Sequence, residues 1–321
     1  MSQPTKDQVS VILPVLNEAE YLEDALAPIL GQEFNGELEV ILAIGPSKDR
    51  TMEIAKKISE RDPRVIIVEN PSGRTAAGLN LALAKSRFPI IVRVDGHSEI
   101  PKNYVSTAVD VLNKTGAVNV GGMMAAQGRG LFERAVAAAM RSSLGVGPAK
   151  FHTGGNAGEV DTVYLGSFKR EALIAIGGFD EKFTRAQDWE LNYRLRANGG
   201  KIYFDPRMAV TYRPRRSLTA LAKQYFEYGR WRRAVSRTHV DTLNLRYLTP
   251  PFTLIVSLIS IVGSIFNLFL IVPFMIYLGF IFIASILLGR GFEKLILPSV
   301  LFTMQMSWAF GFLTSPKSIA K

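Results

Sequence analysis

Asp95 and His97 are separated only by Gly96 and follow an apolar run over residues 89–94 (PIIVRV), which sets a carboxylate and an imidazole just beyond a buried strand's carboxyl end. Open α/β sheets hold their ligands at that edge. A carboxylate oxygen and an imidazole nitrogen can share a divalent cation, and a cation there binds the phosphate oxygens of a diphosphate. The chemistry expected of this turn is a metal-dependent nucleotide-diphosphate site. An ordinary Asp-Gly turn would explain the same tripeptide. His152 and His239 have no partner at ligand spacing and are expected to take no part in chemistry.

The elements that must position this turn alternate in type. Residues 9–13, 38–44, 65–68 and 89–94 are short apolar strands, and residues 17–31, 49–59 and 75–86 between them are helical. Such a βαβα succession predicts an α/β fold with a mainly parallel sheet covered by helices on both faces. No glycine-rich dinucleotide fingerprint follows the first strand, and no Walker-type Gly-x-x-x-x-Gly-Lys occurs. A nucleotide is therefore not expected to be held as dehydrogenases or ATPases hold it.

The 321 residues exceed what one such core needs, and the remainder has another character. Residues 247–289 contain no Asp, Glu, Lys or Arg, and a second uncharged run covers residues 295–316. A bilayer core takes about 20 apolar residues per helix. About three membrane helices are expected, near residues 247–267, 269–289 and 295–315. Of the formal charge of +10, residues 207–246 carry ten Lys or Arg against Glu227 and Asp241, hence +8. A basic stretch beside apolar spans reads as the cytosolic flank of a membrane protein drawn to anionic headgroups, and no nucleic-acid partner is expected. Residues 1–8 are polar and 9–15 too short and strand-like for a secretory leader, so the catalytic half is expected to be cytoplasmic. The absence of cysteine excludes disulfides and thiolate metal sites.

Four segments in order, VSVILPVLNE (9–18), RVDGH (93–97), GGFDE (177–181) and QDWELNYRLR (187–196), resemble the family 2 glycosyltransferases, whose fold is GT-A. More narrowly, the VDTV segment at 160–163 and the carboxy-terminal apolar helices resemble the ExoA-type membrane glucosyltransferases of succinoglycan assembly. The resemblance implies a GT-A catalytic domain over residues 1–212, a basic amphipathic interface segment over 213–246 and membrane helices over 247–316.

It also implies roles for particular residues. Pro14, Asn17 and Glu18 lie in the loop expected to hold the nucleoside, although Asn17 would also serve as a helix N-cap. Asp49 occupies the place of a base-binding or ribose-binding aspartate, whereas Gly45 stands where the family has another aspartate. Arg74 and Asn80 resemble the helix that faces the phosphates; plain solvent exposure also suits Arg74. Asp95 is expected to bind metal and donor, with His97 as second metal ligand in place of the family's carboxylate. Imidazole at that position favours a manganese-like ion over magnesium. Asp188, early in a helix, is expected to be the general base, ionised with the help of the helix dipole. A first-turn acid of an ordinary helix would occupy the same position. Arg230 and Trp231, in an EYGRW motif, are expected to bind diphosphate and stack on the sugar; Trp231 also suits an aromatic anchor in the headgroup layer.

The function so implied is that of an inverting hexosyltransferase, multi-pass in the inner or plasma membrane. It would move a sugar from a nucleotide-sugar donor, a UDP-sugar first, to a lipid-linked polyprenyl acceptor in exopolysaccharide or other surface-glycan synthesis. Its cofactor would be a divalent cation, Mn2+ or Mg2+, and its further partners membrane lipids. A polyprenyl-phosphate sugar synthase and a catalytically silent nucleotide-sugar or glycan binding protein are the alternatives.

Overall fold

The computed structural model describes residues 7–96 and 98–320, which form two compact units. Along the chain run β1 (Gln8–Val15), α1 (Leu22–Leu30), β2 (Glu37–Ile44), α2 (Thr51–Arg61), β3 (Val65–Glu69), α3 (Thr75–Lys85), β4 (Ile90–Arg93) and α4 (Tyr104–Thr115). Then follow β5 (Asn119–Gly122), β6 (Met124–Ala126), α5 (Leu131–Met140), α6 (Ser143–Val146), α7 (Lys150–Thr153), β7 (Gly158–Glu159), β8 (Tyr164–Lys169) and α8 (Arg170–Ala175). The remainder comprises α9 (Gln187–Ala197), β9 (Ile202–Phe204), β10 (Val210–Tyr212), α10 (Leu218–Thr238), α11 (Leu245–Gly263), α12 (Val272–Leu288) and α13 (Glu293–Thr314).

The first unit, residues 1–125 with 154–212, is built on an eight-stranded sheet in the order β3-β2-β1-β4-β8-β5-β9-β7. The neighbours β3-β2, β2-β1, β1-β4 and β5-β9 are parallel, whereas β8 runs antiparallel to both β4 and β5. Successive side chains of β1 leave on opposite faces, so Val9, Val11, Leu13 and Val15 join a core with α1, α2 and α4. Ile12, with Ile41 and Ala43 of β2, joins a second core with α3 and α9. This two-sided burial is why β1 and β2 read as continuous apolar runs rather than alternating ones. Pro14 is tolerated in a central strand because β4 pairs with β1 only as far as Ile12, so the missing Pro14 N–H interrupts no ladder there.

Chain direction across the sheet places the ligand edge. From β1 the chain proceeds to β2 and β3 on one side and returns to β4 on the other, so the strand order reverses between β1 and β4. The loops after β1 and β4 border that switch point, the usual crevice for ligands in open α/β sheets. Glu18 follows the first of these strands and Asp95 the second.

The second unit takes in residues 126–153 together with 213–321. The expected boundary at residue 212 had placed 126–153 in the catalytic domain. Hydrophobic burial explains the difference: Ala135, Val136, Ala139 and Met140 make α5 an amphipathic helix that packs on α13, and Arg134 Nε meets Glu293 at 3.1 Å. Three stretches, Leu245–Gly263, Leu268–Leu288 and Glu293–Thr314, are long and apolar enough to cross a membrane.

Candidate active site

Arg93 ends β4 with its side chain 3% exposed, and a guanidinium so placed must find acceptors. It finds two carboxylates. Nε lies 3.1 Å from Asp95 Oδ1 and Nη2 lies 3.2 Å from Asp95 Oδ2, while Nη1 pairs with Asp188 Oδ1. The fixed fork of one arginine thus gathers the expected metal ligand and the expected base at one point. Both acids keep an open side, Asp95 at 35% and Asp188 at 34% exposure. Nearby, Tyr104 is buried and Tyr164 half-buried; burial, with the Asp95 charge as a lesser cause, pushes both phenols above their usual range.

Asp188 is held by the helix that carries it. The preceding Ala186 sits in the left-handed region at φ 58°, which turns the chain sharply into α9. Farther along, buried Glu190 takes Arg194 through two bonds of 2.7 and 2.8 Å, and Arg194 Nη1 also reaches the Ile176 carbonyl at 2.8 Å. Asn192 continues a buried chain: Asn119 Nδ2 donates to its Oδ1 at 2.6 Å, and its Nδ2 donates to Thr162 Oγ1 at 2.8 Å. Sequence reading assigned Asn119, Thr162 and Asn192 no role. Their signal in the sequence is weak, because single polar residues in apolar elements gain meaning only from their partners.

The loop after β1 is bound to the loop after β2. Asn17, at φ 54°, accepts from Lys48 N at 2.8 Å and donates its own N–H to Ser47 Oγ at 3.0 Å. Glu18 N donates to Thr51 Oγ1 at 2.8 Å, and Ala19 N to Asp49 Oδ2 at 3.1 Å. The pKa of the Asp49 carboxyl is lowered chiefly by the Thr51 hydroxyl, which outweighs an opposing desolvation, with lesser help from the N–H groups of Ala19 and Thr51. Asn17 and Asp49 therefore brace two loops. The brace leaves a cavity of about 180 Å³ lined by Ile44, Gly45, Pro46, Met52, Glu69, Asn70 and Pro71. Gly45 is closely packed, since a Cβ there would lie 2.9 Å from Leu16 Cδ1 and 3.2 Å from Gly73 Cα.

Other expected donor-binding residues are engaged elsewhere. Asn80 donates to the Phe179 carbonyl and accepts from its N–H, both at 2.8 Å, and Arg74 Nη1 reaches the Glu181 carbonyl at 3.2 Å. The pair clamps the loop of Gly177 and Gly178, both at positive φ, to α3. In the second unit, Arg230 pairs with Glu227 at 2.8 Å and Trp231 is buried. A buried indole is not open for stacking on a sugar or for anchoring among headgroups. His97 lies outside the described residues.

Among the described residues no three metal-binding side chains converge. The Glu18 carboxyl nevertheless stands against the Asp95 turn, its Cδ 3.6 Å from where a Gly96 Cβ would be. Glu18 and Asp95 thus place two carboxylates at this turn, with Arg93 bonded to Asp95. Magnesium-like ions are typically held by one or two carboxylates and complete their shell with phosphate and water, so this sparse acidic set fits such a cation.

Comparisons with known proteins identify the family and the fold. The family model described as "Glycosyl transferase family 2" matches residues 10–177. The chain is 33% identical over 242 residues to the succinoglycan biosynthesis protein ExoA of Rhizobium meliloti, a match covering 75% of this chain and 73% of that one. It is 23% identical over 319 residues to a dolichyl N-acetyl-alpha-D-glucosaminyl phosphate 3-beta-D-2,3-diacetamido-2,3-dideoxy-beta-D-glucuronosyltransferase of Methanococcus voltae, covering 95% of each. Among solved structures, it resembles the mannosyltransferase PcManGT of Pyrobaculum calidifontis, in complex with GDP-Man and Mn2+, at a TM-score of 0.61 and 18% identity. That match covers 98% of this chain and 90% of the other.

Proposed function

The chain belongs to glycosyl transferase family 2, and from that premise we propose that it transfers a sugar with inversion from a nucleotide-diphosphate sugar to a lipid-linked acceptor. The observation that carries the reading is the gathering of Asp95 and Asp188 on Arg93 at the carboxyl end of β4. Asp188 takes the proton of the acceptor hydroxyl while that oxygen bonds to the anomeric carbon. The bond from that carbon to the phosphate oxygen breaks on the opposite face, and the nucleoside diphosphate leaves with the electron pair. Asp95, with Glu18 beside it, would hold a divalent cation, which when bound neutralises the charge of the leaving diphosphate. Arg93 fixes the spacing of the two acids, and α9 holds Asp188 against the pull of the acceptor.

The acceptor reading draws on the second unit and on the relatives. The relative from Methanococcus voltae is named for a sugar carried on dolichyl phosphate, and the one from Rhizobium meliloti for a surface polysaccharide. A multi-pass membrane attachment with the catalytic unit cytoplasmic completes this reading. UDP-sugars are the first donors to try, and exopolysaccharide assembly the first setting.

The test is to incubate the purified protein with nucleotide sugars, Mn2+ or Mg2+ and extracted lipid-linked acceptors, and to follow release of nucleoside diphosphate. Transfer from at least one pair is expected. Calorimetry with nucleoside diphosphate and Mn2+ provides a second readout: Asp95→Ala abolishes metal-dependent binding, and unchanged affinity in that variant removes the turn from the site. His97→Asp is expected to retain binding and to shift the preferred ion.

A further inference from the structure

Both oxygens of the Asp95 carboxylate already have a partner. Arg93 Nε and Nη2 reach Oδ1 at 3.1 and 3.0 Å, and Nη2 reaches Oδ2 at 3.2 Å. The carboxylate expected to take a divalent cation is thus spanned by a guanidinium. Arginine keeps its charge at any pH a folded protein meets. A cation on either oxygen would share it with a group of like charge, and in a half-buried site that repulsion is screened far less than in water.

Arg93 is held from stepping aside. Its side chain is almost wholly buried at the end of β4, with Nη1 tied to Asp188 of α9. The guanidinium carbon lies 5.9 Å from the centroid of the Phe179 ring. That ring is buried and meets Phe168 edge to face at 6.4 Å, while Asn80 of α3 holds the Phe179 N–H and carbonyl, both at 2.8 Å. A strand end, a helix start and a clamped loop therefore fix the guanidinium. A group so deep is badly placed to clasp a phosphate arriving from solvent. What it gives the site is a permanent positive charge beside Asp95.

We infer that Arg93 makes cation binding conditional on the diphosphate: the site takes a divalent cation and a nucleoside diphosphate as one complex and binds the bare cation poorly. With Arg93 bonded to it, Asp95 offers a bare cation a carboxylate whose charge is already partly balanced. Glu18 beside the turn adds one carboxylate, a small share of the oxygen shell such an ion requires. A diphosphate brings negative charge that offsets the guanidinium, and oxygens that complete the shell. Each of the two ligands then raises the affinity for the other by the same factor, as linkage requires. The Arg93 charge sets how large that factor is. Without a donor, Arg93 stays bonded to Asp95 and Asp188 and keeps both acids in register; with one, the site selects the metal-loaded diphosphate over the bare ion. Arg93 is on this account a specificity-determining residue as well as a positioning one.

The inference rests on the metal-binding role proposed for Asp95, and the test separates the two. Binding of Mn2+ to the full-length protein in detergent is measured by electron paramagnetic resonance, first alone and then with UDP or GDP. The native protein is expected to hold Mn2+ at least about 10-fold more tightly with one of the nucleotides than without. Arg93→Gln removes the charge and keeps a hydrogen-bond donor, so Mn2+ alone should bind about 10-fold more tightly, whereas Arg93→Lys keeps the charge and should bind it as weakly as the native protein. A role confined to holding the two acids in place predicts otherwise, because both variants lose the fork and would bind Mn2+ equally or less tightly. Arg93→Met replaces Arg93→Gln if the latter fails to accumulate. Unchanged or weaker binding of Mn2+ alone by the neutral variant overturns the inference, and so does a native protein that binds Mn2+ as tightly alone as with nucleotide. If no condition yields Mn2+ binding, or if Asp95→Ala binds Mn2+ and nucleotide as the native protein does, the metal reading of the turn falls and the inference with it.

Discussion

Arg93 and Asp188 are 95 positions apart in the chain and form an ion pair at the switch point of the sheet. The same guanidinium forks onto Asp95. One buried cation therefore sets the spacing between the group expected to meet the donor's metal and the group expected to deprotonate the acceptor.

Arg93→Lys tests that spacing. A lysine keeps the charge but presents a single point rather than a planar fork, and it cannot hold both acids in place. Breaking a buried pair costs about 3–5 kcal/mol when a charge is left alone, and the one-third exposure of both acids lowers that figure. The melting temperature should fall modestly, and single-turnover transfer should fall by about 10²-fold, as misplaced reacting groups do. Transfer at the native rate would show that Arg93 only fills its pocket.

Asp188→Asn separates base from structure. Asparagine preserves shape and an acceptor for Arg93 but removes the proton acceptor, so transfer should drop by roughly 10² to 10⁴-fold. Donor affinity and thermal stability should change little. Near-native turnover would sink the assignment, and joint loss of stability and donor binding would assign Asp188 to the framework instead.

His152 predicts a pH dependence of stability. Burial lowers its imidazole from the usual 6.5 to about 4. The group is thus neutral when folded while the unfolded chain takes a proton, so stability is full above about pH 6.5 and declines as pH falls toward 4. A shift of that size corresponds to at most about 3 kcal/mol, and less because the residue is only half-buried. Denaturant titrations at pH 7 and pH 4.5 should show the loss, and His152→Phe should remove most of the His152 share; an unaltered slope would assign the loss to other groups.

Gly229→Val and Gly311→Val should destabilise the second unit. The first added Cβ would meet backbone oxygen at 2.0 Å, and so would the second, a clash that side-chain rotation cannot relieve. Overpacking typically costs about 1–3 kcal/mol, occasionally more. Thermal unfolding in detergent should report it, while Gly279→Val, where a Cβ meets nothing within 4 Å, should leave the transition in place.

Much of the first unit was legible in the linear order of residues. The strands β1 to β4 and helices α2 and α3 coincide closely with the expected segments, because buried parallel strands declare themselves by unbroken apolar runs. The family motifs were legible for a related reason: each is a short segment whose residues act together on one turn or one helix end. Gly45 was read as a lost aspartate, and the fold sets it close to Gly73 and Leu16.

What the sequence alone determined, then, was the α/β class, the family, and the turn and helix start that bear Asp95 and Asp188. The tertiary structure decided their partners. Asn80 and Arg74 face the Gly177–Gly178 loop, Trp231 is buried, and residues 126–153 belong with the carboxy-terminal helices. Pairings such as Arg93 with Asp188 have no local signature, because a carboxylate's partner is chosen by which strand end and which helix the fold brings together.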